Sequence, residues 1–144
     1  MENVNPIWVI IHLAALCAAY GSVVIVDLIG LLWLGKQIER ERMLAITAWA
    51  QPIIWAGIIV MMISGAMLGP DLSRPLTKVK MTLIILLAIN GLNLDALRKR
   101  TKGLTGQSFW DAPTSYKAWS VFSIVLSQAL WISIVVVAAL NSAD

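Results

Sequence analysis

Four apolar runs, Ile7–Leu34, Ala45–Leu68, Val79–Leu97 and Ala118–Leu140, alternate with short polar connections along the chain. At about 1.5 Å per residue in a helix, each is long enough to cross a hydrocarbon core of about 30 Å. The pattern predicts an all-α integral membrane four-helix bundle, up-down antiparallel, with residues 1–144 forming a single transmembrane domain. The first run would measure about 42 Å if helical throughout, so it must tilt or its last turns must emerge. The stretch KQIERER that follows reads as a short polar turn or a helix extension. Pro52 falls in the first third of the second run, where a proline removes one backbone hydrogen bond and can kink a helix. SGAMLGP ends that run with Gly69 and Pro70 as punctuation. The longest connection, TKGLTGQSFWDAPTSYK, carries Gly103, Gly106 and Pro113, which favour irregular chain. Its Phe109, Trp110 and Tyr116, with Trp119 just beyond, suit the headgroup zone.

Composition supports the same class. The hydrophobic fraction is 59% and the charged fraction 13%, against about 25% charged in an ordinary soluble domain. The N-terminal MENVNP lacks the basic segment of a signal peptide, so the first span is expected to be retained. The single cysteine, Cys17, offers no disulfide framework and reads as a small apolar side chain. The net charge of +3 matters less than its placement. Lys36, Arg40 and Arg42 follow span one, and Arg98, Lys99, Arg100, Lys102 and Lys117 lie between spans three and four. The remaining connection holds Arg74, Lys78 and Lys80. The positive-inside rule then predicts a multi-pass protein of the cell inner (cytoplasmic) membrane, with N- and C-termini outside. The run RKRTK reads as that topology signal together with attraction to anionic lipid heads, and no nucleic-acid partner is expected. The sequence holds no GxSxG, HExxH, CxxC, P-loop or dinucleotide fingerprint, which argues against ordinary soluble-enzyme chemistry.

In lipid, helices approach through small residues. Candidate packing positions are Ala14, Ala18 and Ser22, or Ala15 and Ala19, on span one; Gly65 and Gly69 on span two; Ser123 and Ser127 on span four. Against this background a few polar groups stand out. Asp27 lies within the first apolar run, about 10 Å from its basic end. Gln51 and Asn90 fall near the same depth on spans two and three, with Ser123 of span four somewhat closer to the surface and Asn93 one turn nearer the cytosol. This intramembrane layer admits three readings: hydrogen-bonded glue between helices, a shifted span that brings Asp27 to the interface, or a proton or cation site. A second layer centres on His12, about two turns inside span one and some 22 Å from Asp27 along the axis. Met61, Met62, Ser64 and Met67 of span two, and Lys80, Met81 and Thr82 of span three, share its depth. Imidazole with thioethers is a soft ligand set suited to copper(I) or to a haem iron, which makes His12, Met67 and Met81 metal-ligand candidates. The same residues also fit a hydrogen-bonded helix histidine and methionine space filling. Lys80 can snorkel to the headgroups or face an anionic group.

His12 within WVIIHLAAL, Ser64-Gly65 within ISGAML and Lys80 within KVKMTLIILLAI follow one another in a recognisable order. In this the chain resembles a group of small bacterial membrane proteins that includes copper-resistance proteins of the CopD type, the four-span protoporphyrinogen oxidases and relatives of unknown role. The resemblance covers spans one to three. It implies a four-helix scaffold in which His12, Ser64 and Lys80 form a cofactor site for haem b or copper near the outer side. Two positions depart from that pattern. Asn90 stands where haem-using members carry a further histidine, and Asp27 falls where they tend to carry an arginine. One histidine cannot supply both axial ligands of a bis-histidine haem, whereas a symmetric dimer supplies two, so a homo-oligomer or a partner membrane subunit is expected beside the lipid bilayer. Two function classes stay open. One is a haem- or copper-binding protein for redox or metal handling. The other is a proton- or cation-conducting protein, or an accessory subunit of a larger membrane complex.

Overall fold

The structure, a computed structural model, describes residues 5–101 and 109–143. It is all-α among these residues: four long helices and one short 3-10 turn. The long helices are α1 (Pro6–Leu34), α2 (Arg40–Met67), α3 (Pro75–Thr101) and α4 (Thr114–Ala143). All four are long and apolar enough to cross a membrane, with mean hydropathy between 1.5 and 2.3 over their most apolar windows. The chain is thus a small multi-pass membrane protein of the four-helix class expected from its apolar runs. α2, α3 and α4 each begin about a turn before the corresponding run, because the runs mark only the hydrocarbon-crossing stretch while polar end turns such as RERML are also helical.

The helices form two compact units, an α1–α2 hairpin over residues 1–70 and an α3–α4 hairpin over residues 71–144. In the first, the Asn5 side chain accepts from the Ile7 amide and Pro6 occupies the first helical position, a favoured pairing of cap and proline. The far end of α1 closes with Gln37 N–H donating to the Leu32 carbonyl and Lys36 N–H to that of Trp33. This is the two-bond closure that usually places glycine in the left-handed position. Here Lys36 adopts it, at φ 59°, and Gly35 before it has an ordinary φ of −75°. The polar stretch after span one is therefore a tight turn, and α2 starts at Arg40. α2 runs continuously through Pro52 and ends where SGAMLGP predicts, with Gly69 at φ +65°.

α1 buries Ala15, Ala19, Val23 and Asp27, one residue per turn, while Ala14 and Ala18 are exposed. Of the two small-residue registers in the sequence, only the second packs. Its partner is a residue the apolar pattern did not single out, Gly57. A Cβ built there would lie 2.7 Å from the Ala19 Cβ and 3.1 Å from the Ala15 carbonyl oxygen, so the two backbones touch at a point only glycine fits. Gly69 has no such role; it is an exposed cap with open space around it.

In the second hairpin, the Asp71 carboxylate accepts from both the amide and the hydroxyl of Ser73 just before α3. These bonds, the hydroxyl's first, stabilise the carboxylate and hold its pKa below the usual carboxylate range. The Arg74 guanidinium donates to the Asn141 carbonyl in the last turn of α4, tying the two ends together. Ser120, Ser123 and Ser127 are buried along α4 beside Leu130, Trp131 and Ile134. Of the long loop, Gly103 and Gly106 lie outside the described residues; Phe109–Asp111 form the 3-10 turn, and Pro113 precedes α4. Large apolar side chains cover the outward faces: Ile10 is 66% exposed, Trp49 81% and Val125 62%. In water such surfaces would drive association, whereas hydrocarbon solvates them.

Two substitutions test the first hairpin. Gly57→Val forces the α1–α2 contact apart and should destabilise the protein by about 1–3 kcal/mol, read as a lower midpoint in detergent unfolding. Lys36→Gly relieves the left-handed backbone and should raise the same midpoint by about 1 kcal/mol.

Candidate functional site

Within the first hairpin the structure joins two of the sequence-predicted site residues. His12 Nδ1 and the Ser64 hydroxyl lie 3.0 Å apart. Ser64 is fully buried, and its hydroxyl donates to the Val60 carbonyl one turn back, at 2.7 Å. A serine has a single proton to give. The 3.0 Å contact fits either tautomer; with the serine proton on Val60, the Ser64 oxygen would accept from His12, the arrangement in which Nδ1 carries the imidazole proton. The lone pair of the neutral ring then belongs to Nε2. Metal-binding histidines are commonly oriented in this way, the second nitrogen holding a hydrogen bond that fixes tautomer and ring direction.

The His12 ring lies beside α2 at Gly65, where a Cβ would stand 3.4 Å from Cε1 and 3.7 Å from Nδ1, ordinary van der Waals contact. Met67, three residues beyond Ser64, turns outward and is 57% exposed.

The pairs His12–Ser64 and Ala19–Gly57 share one antiparallel register. Continued along the hairpin at the common helical rise, it sets Asp27 level with Trp49 and Ala50, within a turn of Gln51. The equal depth expected for Asp27 and Gln51 follows from this register. Asp27 is buried on the inner stripe of α1, and Gln51 is half-buried on α2.

The other members of the predicted polar layer gather in the second hairpin. The Asn90 amide donates to the Ser123 carbonyl at 2.9 Å, and the Asn93 amide donates to the Ser123 hydroxyl at 3.2 Å. The Trp119 indole N–H donates in turn to the Asn93 side-chain oxygen at 3.1 Å. Asn90 is 5% exposed and Ser123 is fully buried, so this chain of bonds ties α3 to α4 inside the apolar contact. Trp119 was expected at the headgroups for its aromatic ring; its hydrogen bond to Asn93 carries no sequence signal beyond the presence of both residues. Lys80 is half-buried on the α3 side that also buries Thr77, Leu87 and Asn90. Met81, next to it, is 40% exposed. No group of three or more histidine, cysteine, aspartate or glutamate side chains converges among the described residues.

The tautomer is directly measurable. Nitrogen NMR of the neutral ring should show a protonated Nδ1 and an unprotonated Nε2, and Ser64→Ala should abolish that preference while Ser64→Thr keeps it.

Comparison of the chain with family models, with curated proteins and with solved structures returns no match to any of them.

Proposed function

We propose that this small polytopic protein lies in the inner membrane with both termini outside, and that its first hairpin offers His12 Nε2 as an axial ligand to haem b near the outer side. The observation that supports this reading is the His12–Ser64 contact, with the Ser64 hydroxyl bonded to Val60; in the tautomer with Nδ1 protonated, Nε2 would carry the ligating lone pair. One imidazole is the donor set of a five-coordinate haem, whereas copper(I) requires further soft donors. Met67 and Met81, the candidates for that second role, both have large outward-facing surfaces, which favours haem over copper. A bound haem would supply one-electron redox chemistry. The chain's own part is narrower: Ser64 positions the ring, and the apolar faces of α1 and α2 keep its surroundings dry.

A second reading draws on the burial of Asp27. A carboxylate on the inner stripe of a spanning helix is costly unless it is paired or protonated, and such groups often mark proton or cation paths. In this reading Asp27 and Gln51 form the conducting or helix-joining layer, in a conducting protein or in an accessory subunit of a larger complex.

Purification in mild detergent followed by haemin titration separates the two. The first reading expects a Soret band with stoichiometric haem that is lost in His12→Ala, and an affinity about 10- to 100-fold weaker in Ser64→Ala. A protein that takes up no haem, but passes protons in liposomes until Asp27→Asn stops the flux, overturns the first reading in favour of the second.

A further inference from the structure

The second hairpin carries a feature unrelated to either reading. Asp95 binds two of the three consecutive cations that end α3, Arg98 at 2.9 Å and Lys99 at 3.0 Å. Arg100 has no carboxylate partner among the described residues and is exposed. It follows Asn93 by seven residues, close to two full turns, and so sits on the same face of α3. Side chains of a helix lean toward its N-terminus, which directs Arg100 back along that face toward Asn93.

Asn93 is the residue that holds Trp119, and Trp119 stacks on Phe122 with ring centroids 5.6 Å apart. Both rings are about half exposed, 49% and 55%, although Trp119 is fixed by its hydrogen bond. The register set by Asn90–Ser123 and Asn93–Trp119 places Arg100 at the very start of α4, at the polar rim of the hairpin, with the stacked rings one to three turns deeper. One face therefore presents, from rim to core, an exposed guanidinium, an amide–indole pair and an apolar shelf.

We propose that this face binds an anionic phospholipid of the leaflet that meets this end of the hairpin. Arg100 receives the phosphate, for which a guanidinium is geometrically suited, and the Trp119–Phe122 shelf receives the glycerol and the upper acyl chain. Charge complementarity selects the occupant: a zwitterionic lipid gains little from Arg100, while a headgroup of net negative charge neutralises it. Lys99 is engaged by Asp95 and sits away from the Asn93 face, so this is a local site and not a diffuse basic rim.

The test uses the full chain in bilayers of mixed phosphatidylglycerol and phosphatidylcholine. The fraction of spin-labelled lipid immobilised by the protein is compared for the two headgroups. A preference for phosphatidylglycerol is expected, reduced about fivefold by Arg100→Gln, the change that about 1 kcal/mol per basic residue gives. Lys99→Gln should change it by less than about twofold, and Phe122→Ala should weaken retention of both lipids. Soluble glycerol phosphate should not displace the bound lipid, because it lacks the chains that rest on the shelf. Equal immobilisation of the two lipids by the native protein would overturn the proposal. So would an equal loss in Lys99→Gln and Arg100→Gln, or displacement by glycerol phosphate.

Discussion

Hydrocarbon solvates a leucine on a lipid-facing surface as well as it does in a helix contact, so burial of apolar area cannot by itself bring two spanning helices together. What remains is close backbone approach and hydrogen bonding between groups that lipid cannot satisfy. Each hairpin depends on one of these more than the other. The first is drawn tight where Gly57 meets Ala19 and the Ala15 carbonyl, a contact of backbone against backbone. The second is joined by amides and hydroxyls, Asn90 and Asn93 on α3 against Ser123 on α4, with Trp119 closing the chain of bonds. A bilayer makes both contacts effective for the same reason: neither a gap nor an unbonded amide has water to fill it.

The Gly57 contact also fixes what happens at the end of its hairpin. Once the backbones meet there, the antiparallel register brings Ser64 opposite His12, about two turns further along. Ser64 then bonds His12 while its own proton stays on the Val60 carbonyl. The placement of the imidazole beside Ser64 is thus a consequence of helix packing. A glycine midway along an apolar helix and a serine near its end act together, although seven residues separate them.

Much of this was legible in the sequence, and the illegible part has an identifiable physical origin. Run length alone gave four spans, because crossing hydrocarbon demands about 20 apolar residues and few other structures do. Gly69 and Pro70 marked the end of α2 because a terminated helix needs a residue tolerant of positive φ. The Lys36 turn was less visible, since the left-handed position fell on lysine although Gly35 stood beside it. Small-residue patterns gave two registers on α1 and could not choose between them, because exposure to lipid leaves no polar signature on the outward face. His12, Ser64 and Gly65 were each singled out, but that the Ser64 hydroxyl meets His12 at Nδ1 while bonding Val60 is a three-dimensional fact. Counting at a fixed rise set Asn90 and Ser123 near one depth, and a hydrogen bond joins them, whereas their hydrogen-bond geometry could not be read from depth.

The two hairpins differ in the kind of polar group they enclose, and that difference bears on where chemistry can occur. In the second, the hydrogen-bonded groups around Ser123 are neutral amides, a hydroxyl and an indole, with Lys80 half-buried further along the same side of α3. The neutral groups have no accessible proton equilibrium near neutral pH, and a satisfied network of this kind rigidifies a contact without offering a reactive state. The first hairpin holds His12 and Asp27, the two titratable side chains with an ordinary pKa below about 7 in α1. They sit on the same helix about 60° apart around its axis and some 22 Å apart along it, nearly the thickness of the hydrocarbon core. A haem ligand needs only the His12 end of that line, whereas a proton path needs both ends and relays between them. The Ser64 contact supplies a positioning partner at the His12 end, which is all the ligand reading asks of the hairpin.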